Sequence, residues 1–453
     1  GKPKVIQCIL PGMGYAKFEI IAAIHLISSG RGTVSNLNYS IEEKSCFREI
    51  NNPFFVGDIG NMDFEETDEQ SMIREMVRAF AEETLSPTCL ERDKEQRAPI
   101  EEWMEFCENT GLQGVTIPDN YGGSEVDAVS EAIIVEELAR VDPSFSVMYC
   151  VHVGLCSMTI ALHGSEEQKK KYLTRLAGKE IGAYSLSEAG AGTDAAALGC
   201  KAKISEDGSH YLLNGEKMWV TNGSSADIYV LFAKDIDHPD YGKKKHGGTT
   251  AFIVEKSFEG FSVGKKEDKL GIRSSDTCSL VLEDCIVPIE NVIKSPGEGF
   301  PIAMNALDNS RIGIAAQALG IAQGSFEAAL NYAHERIAFD KPIAHHQSVG
   351  NYLAEMATRT TAARLMVYKA ALAKERHYGE GAPRHTKDAS MAKLFAGDTA
   401  MWVSERAVQV LGGYGYTTDF PVERFFRDAK ITQIYEGTQE VQRIVINRSI
   451  SPE

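Results

Sequence analysis

A carboxylate that could act as a catalytic base is Glu436, within the segment ITQIYEGTQEVQRIVINRSI. The apolar run ends at Tyr435, Glu436 and Gly437 form a short connection, and Thr438 can cap the helix that follows. A short connection between two ordered elements can aim a carboxylate, as general acid–base chemistry requires. Glutamates in surface loops are common, however, so on this segment alone a solvated Glu436 is the simpler interpretation.

Two other segments carry residue types that suit a phosphorylated aromatic ligand. In AYSLSEAGAGTDAAAL, Ser185 and Ser187 precede a turn of small residues, where backbone amides could approach a phosphate and Thr193 could donate a hydrogen bond. In EKMWVTNG, strand alternation places Trp219 and Thr221 on one face, which offers a stacking surface and a hydroxyl to a flat ring. Each segment has a structural alternative, a plain turn for the first and a core tryptophan for the second.

Basic residues at a helix end could serve the same ligand. Arg311 is predicted to open a long helix and Arg336 to close it, just before the loop IAFDKPIAHHQ with its Phe339. Arg336 could pair with a diphosphate through two parallel hydrogen bonds, or simply complement the helix dipole. A GxGxxG fingerprint and a P-loop lysine are both missing from the sequence, so a Rossmann or Walker phosphate site is not indicated.

Glycines and metal-ligand residue types complete the candidates. The segment QVLGGYGY places Gln409 beside Gly412 and Gly413, which permit close backbone approach or a helix C-cap. His345 and His346 have no evident third ligand, and the nine cysteines form no CxxC pair, so no metal site is predicted. The cysteines are odd in number and dispersed along the chain, which indicates reduced thiols in a reducing compartment.

The elements that must position these residues are helical on either side of a β-rich middle. Thr67 and Gln70 have capping-box spacing before a helix, and EAIIVEELARVDPS predicts an amphipathic helix that ends ahead of Pro143. HYLLNGEKMWVTN, IYVLFAKD, TTAFIVEK and CSLVLEDCIVP read as strands, with SEDGSH and LNGEK as hairpin turns. Helical spacing returns after Pro288. The sequence therefore predicts a mainly α fold with a central β domain.

The length of 453 residues and the changes of sequence pattern along the chain predict several domains, because a chain this long rarely folds around a single hydrophobic core. We predict an N-terminal helical domain over 62–180, a middle β domain over 181–295 and a C-terminal helical bundle over 296–453. Residues 1–61 are an extension of uncertain status, whose basic bias is faintly like that of a transit peptide, and Met62 would serve as a natural start.

Charge and hydropathy exclude some classes of partner. A formal net charge of −17 disfavours a nucleic-acid partner, because an acidic surface repels phosphate backbones. Apolar runs such as Ile20–Ile27 fall far short of the roughly 20 residues that span a bilayer, so no membrane span is expected. We expect a cytoplasmic protein, with the mitochondrial matrix as the alternative.

Six ordered motifs together resemble the acyl-CoA dehydrogenase family: YSLSEAGAGTD, EKMWVTNG, RIGIAAQALGIAQG, LGGYGY, PVERFFRDAKI and IYEGT. The resemblance runs from about Met62 to the C-terminus. HGSEEQKKKYL, KLGIRSS, GFPIAMNALDNSRIGIAAQALGIAQG and RDAKITQIYEGT are most similar to the short-chain, butyryl-CoA dehydrogenase-like branch. The resemblance implies a helical N-terminal domain, a β-barrel-like middle domain and a four-helix bundle, in a homotetramer that binds FAD.

The resemblance also implies roles for individual residues. It makes Glu436 the catalytic base, whereas Ser310, at the position where other branches carry theirs, cannot serve as one. The FAD-binding positions are Tyr184, Ser185, Leu186, Ser187, Gly192, Thr193, Trp219, Thr221, Arg336, Phe339, Gln347, Gln409, Gly412, Gly413, Thr438 and Glu440, of which Arg336, Phe339, Gln347 and Gln409–Gly413 resemble segments lent by a neighbouring subunit. The substrate-binding positions are Thr193, Asp308, Arg311, Tyr435 and Gly437. Asp340 replaces a common glycine and brings an acidic charge near the region expected to hold the diphosphate.

The activity implied is dehydrogenation of an acyl-CoA thioester to the trans-2-enoyl-CoA. Glu436 would remove the α-proton, with its pKa raised by burial under the substrate, the β-hydrogen would pass to FAD as hydride, and the electrons to electron-transfer flavoprotein. Two alternatives are an acyl-CoA oxidase, in which oxygen accepts the electrons, and a flavoprotein that keeps the fold as a non-catalytic binding module. Short straight acyl chains are favoured, and branched, cyclic and dicarboxylic acyl groups stay open.

Overall fold

Helices occupy the chain on both sides of one sheet in the computed structural model, which describes residues 65–376 and 384–451. The expectations for the extension 1–61, for Ile20–Ile27 and for Met62 lie outside the described residues. The order of helices, strands and helices confirms the mainly α fold with a central β domain.

The first helical region precedes the sheet, and its α-helices are α1 (Asp68–Phe80), α2 (Cys89–Glu95), α3 (Ile100–Thr110), α4 (Ala128–Val141), α5 (Pro143–Cys150), α6 (Met158–His163), α7 (Glu166–Gln168) and α8 (Thr174–Leu176). The predicted capping box begins α1: the Gln70 amide donates to the Thr67 hydroxyl, and the Thr67 amide donates to Oε1 of Gln70. A π-helical segment, Val151–Ser157, joins α5 to α6.

The predicted amphipathic helix is α4, and it does end ahead of Pro143, but its amphipathic character was wrong. Every residue of α4 except Glu131 is buried. The charges that indicated a solvent face are paired inside the protein. Oε1 of Glu136 accepts hydrogen bonds from the Arg364 guanidinium at 2.6 and 3.0 Å, and Oε2 accepts one from the Tyr368 hydroxyl at 3.0 Å. Buried ion pairs of this kind fix how two helices sit against each other.

The stretch Pro143–His163 is long and apolar enough, by length and composition, to cross a membrane, with a mean hydropathy of 1.7. Of its most apolar window, 89% is buried inside the protein. It is the one stretch of this kind among the residues that the structure describes. Its apolar character reflects packing on all sides in the core of the protein.

A seven-stranded sheet forms the middle of the chain, and its strands are β1 (Gly182–Ser185), β2 (Lys201–Ile204), β3 (His210–Thr221), β4 (Ile228–Asp235), β5 (Thr249–Glu255), β6 (Phe261–Lys266) and β7 (Thr277–Pro288). The strands pair in the order β1-β4-β2-β3-β7-β6, with β5 antiparallel to β4. Of the two predicted hairpin turns, SEDGSH is confirmed: it joins β2 to β3, and its Gly208 has φ +71°. LNGEK is instead a β-bulge inside β3, where Gly215 has φ +147°.

The second helical region follows the sheet, and its α-helices are α9 (Gly299–Glu335), α10 (Gln347–Arg376), α11 (Thr386–Leu411), α12 (Val422–Ala429) and α13 (Gln439–Ile450). The predicted start of the long helix at Arg311 was wrong, because α9 already begins at Gly299; its predicted end at Arg336 is confirmed to within one residue. Helix α9 packs against α11 and α4. A Cβ on Gly320 would lie 2.3 Å from the Glu136 carbonyl oxygen, so the contact with α4 requires glycine there.

Two buried side chains tie the first helical region to the start of the sheet. The Gly182 amide donates to Nδ1 of His152 at 3.0 Å, so Nε2 carries the ring proton and donates to the Gln113 carbonyl at 3.1 Å. The Asn222 amide donates to the carbonyls of Met148 and Gly182, both at 3.0 Å. These bonds hold β1, which carries several candidate residues, against the helices.

Candidate active site

Glu436 lies in a tight turn between a 3₁₀ turn (Lys430–Gln433) and α13. Its φ is +52°, a left-handed conformation that costs a non-glycine residue roughly 1–2 kcal/mol, and Gly437 follows at φ +87°. Side chains hold this turn in place. Gln442 Nε2 donates to the carbonyls of Glu436 at 3.0 Å and Gly437 at 2.9 Å, and Lys393 Nζ donates to the Gly437 carbonyl at 2.8 Å. The predicted cap is confirmed, since Thr438 Oγ1 accepts from the amide of Val441.

The carboxylate of Glu436 is partly buried and has one close hydrogen-bond donor. Ser310 Oγ on α9 donates to Oε2 of Glu436 at 2.7 Å. Burial raises the pKa of Glu436, while the Ser310 hydrogen bond and the charges of Arg311 and Lys393 oppose that rise. Because the pKa remains above its ordinary value, Glu436 is a stronger base than a solvated glutamate.

A small cavity lies beside this carboxylate. Its walls come from the first helical region, from β3, from α9 and from the turn at Glu436, and the lining residues are Glu131, Val147, Cys150, Val151, Gly154, Leu155, Thr221, Ser310, Gly313, Ile314, Tyr435 and Glu436. The walls are tied together, because the Tyr435 hydroxyl donates to Oε1 of Gln317, whose Nε2 donates to the Pro143 carbonyl at 2.8 Å. The cavity is mostly apolar and has a base at one wall, an arrangement that suits a small organic substrate.

Four of the five predicted substrate-binding residues lie at or near Glu436: Arg311, its ion-pair partner Asp308, Tyr435 and Gly437. Arg311 Nε is 3.5 Å from the Glu436 carbonyl oxygen, and Arg311 Nη1 is 2.5 Å from Oδ1 of Asp308. Oδ2 of Asp308 accepts from the Thr386 hydroxyl at 2.6 Å. Tyr435 and Gly437 flank Glu436, whereas Thr193 is exposed and does not line the cavity.

The predicted flavin segment of β1 contains buried polar atoms without a partner. Within the described part of the chain, neither the Tyr184 hydroxyl nor the Ser185 hydroxyl has a hydrogen-bond partner. Leu186 and Ser187 follow at the end of the strand, and the Ser187 carbonyl accepts from the Met218 amide at 2.9 Å. This bond brings the segment next to Trp219.

Trp219 is not a core residue, so that alternative for it was wrong. Its side chain is 58% exposed, and its φ is +59° within a bulge of β3 between Lys217 and Val220. Simple strand alternation therefore breaks at this residue. Val220 is buried, while Thr221 reaches the Glu436 cavity. The indole of Trp219 is therefore free of the core and accessible to a ligand.

The turn of small residues is open to an approaching group. A Cβ built on Gly190 or Gly192 would meet no atom within 4 Å, and Thr193 beside them is exposed. The predicted turn is present, since the amides and carbonyls of Glu188 and Ala191 are hydrogen-bonded to each other at 3.0 and 3.1 Å. Backbone amides in such a turn are accessible to an anion.

A second group of predicted cofactor residues lies apart from Glu436. Arg336, Gln347, Gln409, Gly412 and Gly413 are exposed, and none lines its cavity. Gly412 has φ +62° and caps the end of α11, so the C-cap alternative is confirmed.

A broad surface cavity of about 500 Å³ lies in this region of the helical bundle. Arg336, Gly413 and Tyr414 are among its lining residues, and the Arg336 guanidinium is 5.9 Å from the Tyr414 ring centroid. Phe339, with φ +52°, is 90% exposed close by in the chain, and Asp340 is exposed beside it. One chain does not bring these residues to its own base, and the prediction that a neighbouring subunit lends them stays a prediction.

Residues able to bind metal are dispersed. Among the described residues there is no group of three or more His, Cys, Asp or Glu side chains placed to hold a metal ion. The seven described cysteines are free and buried.

Three family models match successive parts of the chain: the N-terminal domain of acyl-CoA dehydrogenase over 67–180, its middle domain over 183–285 and its C-terminal domain over 297–451. The chain belongs to the acyl-CoA dehydrogenase family. It is an oxidoreductase of this family, with FAD as its cofactor.

Individual relatives cover nearly the same residues. A short-chain specific acyl-CoA dehydrogenase of Clostridium acetobutylicum is 48% identical over 86% of this chain and all of its own length. The butyryl-CoA dehydrogenase structure of Megasphaera elsdenii is 44% identical, covers 86% of this chain and all of its own, and has a TM-score of 0.81. A chain in a structure described as the electron transferring flavoprotein of Acidaminococcus fermentans is 46% identical, with the same coverage and a TM-score of 0.82. The predicted resemblance to the short-chain, butyryl-CoA dehydrogenase-like branch is confirmed.

The structure offers features that fit an FAD. The unpartnered hydroxyls of Tyr184 and Ser185, the exposed indole of Trp219 and the open glycines Gly190 and Gly192 lie on or beside β1 and β3. They provide polar contacts, a stacking surface and room for a phosphate.

Sequence reasoning missed several residues that shape the site. Ser310 was considered only as a position without a base, yet it donates to Glu436. Lys393, Gln442 and Gln317 were not singled out, and neither was Glu131 in the cavity wall. No local signal marks Ser310, Lys393, Gln317 or Glu131, because each contacts residues distant in sequence.

Proposed function

We propose that the protein dehydrogenates a short-chain acyl-CoA to the trans-2-enoyl-CoA, with Glu436 as the base that removes the α-proton. The observation that carries the proposal is a carboxylate of raised pKa, which accepts a hydrogen bond from Ser310 at 2.7 Å in the wall of a small, mostly apolar cavity. A short acyl chain is supported by the named substrates of the two similar proteins, a short-chain acyl-CoA and butyryl-CoA.

In this mechanism the chain supplies position and basicity. The acyl group enters the mostly apolar cavity, which excludes water, and the α-carbon lies against Oε1 or Oε2 of Glu436. The raised pKa lets the carboxylate accept the α-proton, and Ser310 stabilises the carboxylate before the transfer. When bound, FAD supplies the acceptor for the β-hydrogen and its electron pair.

The FAD-binding residues on one chain are Tyr184, Ser185, Leu186, Ser187, Gly192, Thr193, Trp219, Thr221, Thr438 and Glu440. We place the remaining set, Arg336, Phe339, Gln347, Gln409, Gly412 and Gly413, in the FAD site of a neighbouring copy. Their exposure supports this assignment, since all six are exposed and Phe339 is 90% exposed. Apolar side chains so exposed are typical of an interface, and we propose a homotetramer.

The electron acceptor in this proposal is an electron-transfer flavoprotein. The similarity to a chain from a structure of that description supports it. A cytoplasmic location is supported by the bacterial origin of the similar proteins and by the free, buried cysteines.

The test is an anaerobic titration of the yellow protein with butyryl-CoA. We expect the thioester to bleach the flavin band of the wild type. Glu436→Gln should retain FAD, but bleach at least about 10³-fold more slowly, because the amide cannot accept the proton. Glu206→Gln is the matched control, since Glu206 is exposed in the turn before β3.

Three results would contradict the proposal. Bleaching of Glu436→Gln at nearly the wild-type rate would exclude Glu436 as the base. Bound FAD that no acyl-CoA bleaches would favour the non-catalytic module. Peroxide release that keeps pace with substrate consumption in air, without an acceptor protein, would favour the oxidase.

A further inference from the structure

The cavity beside Glu436 contains a second carboxylate, Glu131. It is the one residue of α4 that is not buried, and it stands in a wall that is otherwise built largely of Val147, Val151, Leu155 and Ile314. An acidic side chain in such a wall is unexpected for a pocket that takes only a hydrocarbon chain, because the carboxylate would lose water to an apolar group.

The two oxygens of Glu131 have different surroundings. Oε2 accepts a hydrogen bond from Lys374 Nζ at 2.6 Å, and the side chains of Glu131 and Lys374 are 14% and 6% exposed. Oε1 faces Gly154 in the cavity wall, where a Cβ would lie 3.8 Å from it. Lys374 does not line the cavity. The ion pair therefore presents its negative end to the cavity.

Glu131 and Glu436 belong to different walls, with Cys150 affected by both. Burial raises the pKa of Cys150, and the charges of Glu131 and Glu436 raise it further. Gly313, one turn along α9 from Ser310, lies beside Cys150, since its Cβ would be 3.6 Å from Sγ. Glu436, Gly313, Cys150 and Glu131 all line the same cavity, so an acyl group bound there with its α-carbon at Glu436 shares that cavity with the Glu131 carboxylate.

We propose that Glu131 determines acyl specificity: it favours a short acyl group whose far end carries a hydroxyl, and it rejects one that ends in a carboxylate. This inference rests on the proposed function. A terminal hydroxyl can donate to Oε1 and replace the water that the carboxylate loses. A terminal carboxylate would instead meet a like charge in a cavity that shields it poorly.

The test compares three five-carbon thioesters that differ only at the far end: pentanoyl-CoA, 5-hydroxypentanoyl-CoA and glutaryl-CoA. The measured quantity is kcat/KM for anaerobic flavin bleaching, with butyryl-CoA as a reference. For the wild type we expect 5-hydroxypentanoyl-CoA to exceed glutaryl-CoA by at least roughly 100-fold, since like charges at short range in a poorly screened site repel strongly.

Glu131→Gln keeps the shape of the side chain and removes its charge. We expect the ratio of 5-hydroxypentanoyl-CoA to glutaryl-CoA to fall by at least about tenfold in this variant, because the amide can donate to a terminal carboxylate. Glu83→Gln is the matched control, because Glu83 is exposed and outside the cavity, and its ratio should equal that of the wild type.

The outcomes separate this inference from the proposed function. Bleaching by butyryl-CoA together with a wild-type preference below roughly 100-fold overturns the role of Glu131 and leaves the proposed function standing. An unchanged ratio in Glu131→Gln does the same. If that variant does not retain FAD, the wild-type ratio alone decides. Failure of all four thioesters to bleach the wild type overturns the proposed function and this inference with it.

Discussion

Replacing Ser310 with alanine removes the hydroxyl that donates to Oε2 of Glu436 at 2.7 Å. This hydrogen bond stabilises the charged carboxylate and opposes the rise of its pKa through burial. Hydrogen bonds to charged groups contribute about 1.5–3 kcal/mol, and one pKa unit corresponds to about 1.4 kcal/mol. We therefore expect the pKa of Glu436 to rise by about one to two units in Ser310→Ala.

The sign of the effect on activity follows from the role of the base. In the proposed mechanism Glu436 must be deprotonated to accept the α-proton, so we expect kcat/KM to rise with pH through its pKa. In Ser310→Ala this acid limb should move to higher pH by about one to two units, and activity below it should fall by about 10- to 100-fold. The assay is stopped-flow bleaching of the flavin by butyryl-CoA between pH 5 and 9.

The control is Ser325→Ala, a buried serine of the same helix. Its hydroxyl donates to the Ile321 carbonyl at 2.7 Å within α9, and it has no contact with the cavity. Its acid limb should match that of the wild type. An unshifted acid limb in Ser310→Ala, or an equal loss of rate at every pH, would refute the assignment of Ser310 as the residue that tunes the base.

Two further predictions concern other buried groups. Burial lowers the pKa of Lys393 to about 8, and the charge of Lys393 opposes protonation of Glu436. Lys393→Met should therefore move the acid limb of kcat/KM to higher pH. An acid limb at the same pH as in the wild type would contradict this. Burial lowers the pKa of His152 to about 4, so the folded state binds fewer protons than the unfolded state below about pH 6.5. As the pH falls from about 6.5 to about 4, the free energy of unfolding, measured by urea denaturation, should therefore fall by up to about 3 kcal/mol. His152→Asn should lose this part of the pH dependence.

Local features of the fold followed from the sequence. The capping box at Thr67, the cap at Thr438 and the positive φ of Gly208 depend on residues within a few positions of one another. The helix, strand and helix order followed from periodicity for the same reason. The family motifs added the hypothesis that Glu436 is the base, whereas periodicity alone could not distinguish it from a surface glutamate.

Features that depend on distant partners did not follow. In the sequence Glu136 has the position of a solvent-facing charge, but in the fold it pairs with Arg364. Ser310 has no evident role in the sequence, but in the fold it donates to Glu436. Trp219 sits in a bulge whose register is set by pairing with β7, so simple alternation failed there. In each case the decisive contact joins residues far apart in the chain, and a single sequence contains no record of it.

Glu436 follows every other residue of its cavity in chain order. A ribosome releases the N-terminal parts first, so the walls from Glu131 to Ile314 can begin to pack before the carboxylate reaches them. Until then Glu436 remains in water, with a carboxyl group of ordinary acidity. The proposed base therefore has its raised pKa only in the folded protein, where the turn lies against Ser310.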